Sequence, residues 1–412
     1  MQSNNQQWRK QGIIIGVLIL FLTSTFITPL LQAQDNAGQP TLQRNNLLTL
    51  QNESLNWFQH HLNHSTGQLS VEENLSFIDQ MLTSHILVSS ASKIPSSTEI
   101  LITSIEGILE TYSKNETNYS LIDHAYLLNL LHIVPSSLSA ESTKERIADH
   151  ILSSKNDQHL INTTPVLSKD AAIALTALSH HYDFTYNYSK QQEIKTIIET
   201  YGQIVNTSLN QKEENTSLYE NDQAFILSYF TTPFTIIHTI DESIINASTL
   251  TTKINNNLRN NQHMSGSDQE LGQFNLTTQL TSFLVQLQCI TSMNQAYNLS
   301  KTTADTKNTS RFKESLILGL IYIKNERTND HHKPLTPQEH LFLLLTLDNV
   351  LSVLPQTNWT FLWDANSNQL LEGRTLETSS TLWTVLTIGV MGSIGLLALV
   401  FIIISLYYKN KR

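Results

Sequence analysis

Three aspartates, Asp123, Asp170 and Asp222, each open an apolar run: DHAYLLNLLHIV, DAAIALTALS and DQAFILSYF. Carboxylates gathered from several helix starts could supply the two that glycoside hydrolysis requires, one as acid and one as base or nucleophile. Their separation then sets the stereochemical outcome. Tyr126, Tyr182, Tyr186 and Tyr229 lie near the same runs and could stack on a sugar ring. The plainer role for an aspartate at a helix start is to cap it and offset its dipole.

The other reactive side chains point less clearly to chemistry. His60, His61 and His64 contain an i, i+4 pair but lack an identifiable third metal ligand. Asp330-His331-His332 with Glu339-His340 is a second weak candidate, and His180-His181 with Asp183 reads as a helix end. No metal site and no cofactor is expected. The sole cysteine, Cys289, sits in the apolar run LVQLQCI and reads as a small core residue. One cysteine excludes a disulfide framework and an iron–sulfur site. Trp359, Phe361 and Trp363 alternate with Thr360 and Leu362, which is strand spacing; they could form a sugar platform or pack inward. P-loop, G-x-G-x-x-G, G-x-S-x-G and H-E-x-x-H signatures are absent from the sequence.

The elements that must position these groups read as helices. From about residue 42 to 354 the apolar residues recur at helical spacing. Twelve segments result: 44–62, 72–88, 97–112, 120–134, 141–154, 169–181, 189–207, 220–231, 240–258, 270–292, 309–324 and 337–353. Even-numbered segments are apolar all round; odd ones, such as KQQEIKTIIETYGQIV from Lys190, are amphipathic. A helix apolar all round is buried, and one with a polar face is peripheral. Alternation of the two kinds predicts an inner ring of helices wrapped by an outer one. Acidic residues near even-segment starts (Glu73, Asp123, Asp170, Asp222, Glu270 and Glu339) recur at steps of 50, 47, 52, 48 and 69 residues. The long last step is read as an inserted loop at Asn298 to Asn308. A period near 50 is that of a helical hairpin, and six hairpins can close on themselves. A superhelical stack is the open-ended alternative.

Both ends of the chain carry long apolar runs. Residues 12–31 contain no charge and follow Arg9 and Lys10. A cleaved signal peptide over residues 1–33 is the preferred reading, and an uncleaved anchor the alternative. Trp383 to Tyr407 is uncharged, has aromatic ends and precedes Lys409, Lys411 and Arg412. That predicts a transmembrane helix over 382–408 with a cytoplasmic tail at 409–412 and the main domain outside. Residues 355–373 read as an aromatic hairpin and 374–381 as a polar stalk. The chain carries a formal net charge of −10, which argues against nucleic acid. Fourteen Asn-x-Ser/Thr sequons lie between the two apolar runs: Asn52, Asn63, Asn74, Asn115, Asn118, Asn162, Asn187, Asn206, Asn215, Asn246, Asn275, Asn298, Asn308 and Asn358. That density suggests a glycosylated surface domain.

The segments from Asp170 to Asp183 and from Asn221 to Leu227 resemble inner-helix starts of the six-hairpin (α/α)6 toroids. The first hairpin, with Trp57-Phe58 and Asn63 to Gly67, is similar to theirs as well. The resemblance is one of pattern over about 310 residues and implies an all-α toroid. It also admits the superfamily's activities: glycoside and uronyl hydrolysis, sugar epimerisation and polysaccharide lysis. Since no family-specific motif is matched, the leading expectation is a membrane-anchored surface module binding carbohydrate or a protein. The alternative is a carbohydrate-active enzyme using inner-helix carboxylates at the toroid mouth. A two-span transporter component is a third class. The lipid bilayer is the expected partner of the C-terminal helix.

Overall fold

The computed structural model describes residues 40–71, 75–153, 167–211, 220–265, 270–275, 282–328, 333–364, 367 and 369–373, with backbone alone at 211 and 220–223. Both terminal apolar runs, the stalk and the tail lie outside the described residues. Among the described residues, no helix is long and apolar enough to cross a membrane.

The described chain is mostly helical. In chain order the helices are α1 (Arg44–His61), α2 (Phe77–Ser89), α3 (Ser97–Lys114), α4 (Leu121–Ile133), α5 (Glu141–Ser153), α6 (Lys169–Phe184), α7 (Tyr188–Gln211), α8 (Glu220–Tyr229), α9 (Thr231–Ile240), α10 (Ala247–Asn260), α11 (Phe283–Thr302), α12 (Thr306–Thr328) and α13 (Pro337–Val353). Local chemistry explains several starts. Ser76 with Asp79, Ser120 with Asp123, and Thr336 with Glu339 form reciprocal capping boxes. Each satisfies backbone donors that a helix start would leave unpaired. Pro337 stands in the first turn of α13, where its missing N–H costs nothing.

Around the inside, α2 packs on α4, α4 on α6, α6 on α9, α9 on α11, α11 on α13, and α13 on α2. The ring is closed, which removes the open stack. Outside it, α3, α5, α7, α10, α12 and α1 pack on α2, α4, α6, α9, α11 and α13 respectively. Each outer helix separates two inner ones in sequence, so the inner helices run parallel. Inner faces are apolar as the ring demands: Ala171, Ala172, Ala174, Leu175, Ala177 and Leu178 of α6 are all buried. Their small side chains let α6 approach α4 closely.

Two segments differ from the sequence expectation. The run ending at 231 continues through α9 to Ile240, interrupted only at Phe230. Pro233 lies in the first turn of α9, so it breaks the helix and then permits a new start. The outer helix therefore begins at Ala247, not 240. In the run read as 270–292, residues 270–275 are not helical, and α11 starts at Phe283. Leu271 and Phe274 are buried, imitating a helix face. Gln286 accepts from the Phe274 N–H at 2.9 Å and donates to its carbonyl at 3.0 Å. Asn298 accordingly lies within α11, and the expected insertion is only the turn 303–305.

The fold also has a small β component. β1 (Thr41–Gln43), β4 (Thr360–Asp364) and β5 (Gln369–Gly373) form an antiparallel sheet in the order β1-β4-β5. β2 (Leu62–Asn63) pairs with β3 (Gln68–Leu69). Trp359, Phe361 and Trp363 are buried, so these aromatics pack inward and offer no sugar platform.

The ring is sealed where its first and last inner helices meet. Asp348 of α13 accepts from Ser90 Oγ at 2.7 Å, Lys93 Nζ at 3.0 Å and the Gln51 side-chain amide. It thereby ties α13 to α1 and to the end of α2. Asp348→Ala leaves these donors without their carboxylate and should cost about 2–4 kcal/mol. Urea unfolding checks this against Lys114→Ala, which breaks a solvent-exposed i, i+4 pair with Glu110 and should leave the midpoint almost unchanged. Equal small losses would show that the seam is held elsewhere.

Candidate functional site

The two mouths of the ring are unlike. Connections from outer to inner helices span residues 62–76, 115–120, 154–168, 212–219, 261–282 and 329–336. Those from inner to outer helices span only 90–96, 134–140, 185–187, 241–246 and 303–305. All but one of the connections at the mouth where the inner helices begin are therefore longer than any at the other. Binding residues tend to sit on such loops over a rigid scaffold.

At that N-terminal mouth, α2, α4, α6 and α8 bring a polar set together. Asp79 of α2 gives Oδ2 to Ser76, accepting from its N–H at 3.1 Å and its hydroxyl at 2.7 Å. Its Oδ1 is buried and without a hydrogen-bond partner. Tyr126 of α4 is pushed up to about 12, first by burial and then by the negative charges of Asp79 and Asp170. Asp79 and Asp170 stand near the starts of α2 and α6, the two inner helices that pack on α4. Tyr229 of α8 is also raised, by burial and by its neighbours Tyr126 and Cys289. Lys169 places its ammonium 5.7 Å from the Tyr229 ring centre.

The expected site residues divide. Asp170 is exposed, and Ser168 caps its helix instead, accepting from Ala171 N–H at 3.1 Å. Asp123 accepts from Ser120 N–H at 3.0 Å and Ser120 hydroxyl at 2.7 Å. Its negative charge helps to raise the Tyr119 phenol. The Asp222 side chain lies outside the described residues. Tyr126 and Tyr229 share the N-terminal mouth, but Tyr182 and Tyr186 do not. Tyr182 is twelve residues beyond Asp170 on the same helix, about 18 Å away along its axis. It is buried and donates to Asp241 at 3.5 Å. Tyr186 stands fully in solvent beyond that end.

Asp79 was not among the sequence candidates, which put Glu73 at that helix start. The signal was legible: Ser76-Phe-Ile-Asp79 has capping-box spacing, and it sets the helix start at 77.

The histidines take structural places. His61 and His340 lie on Trp57, with ring centres 4.7 and 4.2 Å away. His61 Nδ1 lies 2.8 Å from the Trp57 carbonyl, and His340 Nδ1 lies 3.2 Å from Ser54 Oγ. His60 and His64 are exposed, and 330–332 lie outside the described residues. Among the described residues, no three His, Cys, Asp or Glu side chains are placed to hold a metal ion. Cys289 is buried and its thiol is pushed up by desolvation, as expected of a core residue.

At the opposite mouth His132, His180 and His181 cluster, with His132 5.4 Å from His181 and 6.2 Å from His180 by ring centres. His181 is almost wholly buried, with Nε2 3.4 Å from Glu145 Oε1. Lys190 binds Glu145 and lies 2.7 Å from Asp149.

Of the fourteen sequons, Asn74, Asn162 and Asn215 lie outside the described residues. The other eleven are exposed or half-buried. Two described asparagines are buried, Asn255 and Asn294, and neither belongs to a sequon.

No protein-family model matches the chain, and no curated protein matches it. Solved structures do. The GH76A alpha-1,6-mannanase of Salegentibacter sp. HEL1_6 superposes with a TM-score of 0.50 at 11% identity, covering 75% of this chain and 99% of that one. An inactive variant of that mannanase in complex with alpha-1,6-mannotetrose gives 0.48 at the same identity and coverage. The likeness is one of fold: this chain is a helical ring of the kind used by toroid glycosidases.

Proposed function

We propose that the chain is a carbohydrate-active enzyme of the glycoside hydrolase kind, working at the N-terminal mouth. The observation that carries this reading is the placing of Asp79 and Asp170 at the starts of the two inner helices that pack on either side of α4, which carries Tyr126, with one Asp79 oxygen buried and unpartnered. Two carboxyl groups beside a recessed aromatic meet the minimum for glycosidic cleavage. Asp79 would use its free Oδ1 on the substrate, and Asp170 would serve as the solvent-facing partner. Tyr126 and Tyr229 would border the sugar, and Lys169 would offer a donor to its hydroxyls. The toroid fold supports the class of chemistry without fixing the glycan.

A binding module is the second reading. It is favoured by the capping boxes, which occupy one oxygen each of Asp79, Asp123 and Glu339. Reducing-end release from a panel of glycans separates the two. For the enzyme, Asp79→Asn and Asp170→Asn should each lower turnover by about 10²–10⁴-fold, the usual worth of a positioned acid or base. Asp123→Asn, which alters a helix cap, should leave turnover within a few-fold. Glycan binding with no turnover in the unaltered chain would decide for the module.

We propose further that the ring is held outside the cell by the run from Trp383 to Tyr407, with exposed sequons other than Asn187 glycosylated. Support comes from the uncharged span and its basic tail. A chain that leaves membranes in alkaline carbonate would refute the anchoring.

A further inference from the structure

The described residues include four exposed large apolar side chains: Phe184, Tyr186, Tyr188 and Leu371, at 49, 91, 72 and 45% exposure. Three of them form one tip, the connection between α6 and α7, on the C-terminal mouth. The fourth stands two residues before Gly373, where the described chain stops.

The direction of that exit follows from strand register. Gly373 pairs with Thr360, and Thr360 pairs with Gln43, the residue before α1 begins. Arg44 N–H donates to Trp359 O at 3.3 Å, just past the end of α13. Lys313, in the first half of α12, lies 2.5 Å from Glu372. Starts of outer helices and ends of inner ones mark the C-terminal mouth, so β5 leads the chain out on that side. Residues 374–382 then separate Gly373 from the apolar run at Trp383. Nine residues reach at most about 30 Å.

We infer that the ring stands on the bilayer with its C-terminal mouth downward and that Phe184, Tyr186 and Tyr188 dip into the lipid headgroup layer. This rests on the anchoring reading given above. The α6–α7 tip and the α13–α1 exit are separated by two hairpins either way round the ring. One covalent tether and one aromatic foot across from it would keep the ring from tipping. Tyrosine suits the task, since its ring is apolar and its hydroxyl stays hydrated at headgroup depth. Asp183, Asp241 and Glu242 on this face disfavour anionic lipid, so the occupant is a zwitterionic surface. The Asp79–Asp170 mouth then opens away from the membrane, toward substrate. Asn187 lies between the two tyrosines; a glycan there would hold the tip off the lipid, so this sequon must stay bare.

The test uses the full chain in phosphatidylcholine vesicles. Cys289 is fully buried, so Asn187→Cys or Asn118→Cys provides one accessible thiol for a fluorophore. Asn118 is exposed at the opposite mouth. Nitroxide on the lipid headgroups should quench the probe at 187 several-fold more than the probe at 118. Adding Tyr186→Ser and Tyr188→Ser, both at exposed sites, should remove most of that difference. A chain that does not float with the vesicles refutes the anchoring and the foot together. A chain that floats with equal quenching at 187 and 118 refutes the orientation alone. Quenching unchanged by the serine pair refutes the aromatic contact. A glycan found at Asn187 in the secreted-pathway protein overturns the proposal as well.

Discussion

Replacing Gly272 by alanine is expected to abolish the folded ring or cost it more than about 4 kcal/mol, at the extreme end of single substitutions. Gly272 has φ +86°, and a Cβ placed there would lie 1.9 Å from the Leu318 carbonyl oxygen and 2.3 Å from its carbon. Those atoms are helix backbone in α12 and have no rotamer to change. Relief would require the 261–275 loop to lift off α12. That would expose Leu271 and Phe274 and strip the Gln262 amide of its Gly272 and Ser315 carbonyl acceptors, each at 2.9 Å. The backbone strain adds to the clash, because an L side chain at that φ is disfavoured on its own. Gly107 supplies the contrast. It is exposed within α3 with open space around its Cα, so Gly107→Ala should stabilise by about 0.5–1 kcal/mol. Soluble yield and urea midpoints of the two variants check the pair; a Gly272→Ala protein of ordinary stability would mean that the loop is not seated as described.

That loop also shows where reading the sequence stopped. Helix existence and the inner/outer alternation were legible because periodicity reports burial directly, and α13 begins and ends where its pattern does, at 337 and 353. Leu271 and Phe274 misled because a buried loop also needs apolar residues three apart. What sets them apart from a helix is Gly272 in a left-handed conformation and a glutamine on a later helix, Gln286, pairing with the loop backbone. Neither contact is local, so no window of the sequence contains it. The same limit applies to the site. The aspartates at helix starts could be picked out as a set, and the capping box at Ser76 could have added Asp79. Which of them meet is a matter of rotation about each helix axis. Asp79 and Asp123 both fold back onto their capping serines, Ser76 and Ser120, whereas Asp170 is left exposed by the Ser168 cap. Helical spacing read to within a residue or two does not resolve such differences. The strand β1 was missed for a related reason: three residues, Thr41 to Gln43, are too few to show a period, and they become a strand only by pairing with β4.

Acidification is expected to unfold the ring through histidines at its C-terminal mouth. Burial, with His180 nearby, brings His85 down from 6.5 to about 4, against a smaller opposing pull from Asp348. His132 falls to about 3, through burial and then the positive charge that His181, Lys144 and His180 would set against its own. Both ring nitrogens of His132 lack a hydrogen-bond partner, so the folded state offers an added proton nothing. Glu145 faces His181 and is already engaged by Lys190, which limits what it can return to a second cation. The sign follows. Unfolded histidine takes a proton near pH 6.5, whereas these two folded ones refuse it until about 4 and 3. Stability is thus whole above 6.5 and falls as the pH drops below it, by about 1.4 kcal/mol per unit for each group. From pH 6.5 to 4 the two together cost on the order of 5 kcal/mol, comparable to the whole stability of many domains. His124 and His340, each also lowered to about 4, add in the same direction. Urea midpoints at pH 7, 5.5 and 4.5 should fall steeply. His132→Phe should flatten that fall by about 1 kcal/mol per unit, while a change at exposed His60 should not alter it. A flat profile down to pH 4.5, or a slope indifferent to His132, would mean that the cluster opens to water and solvates its charge without loss of the ring.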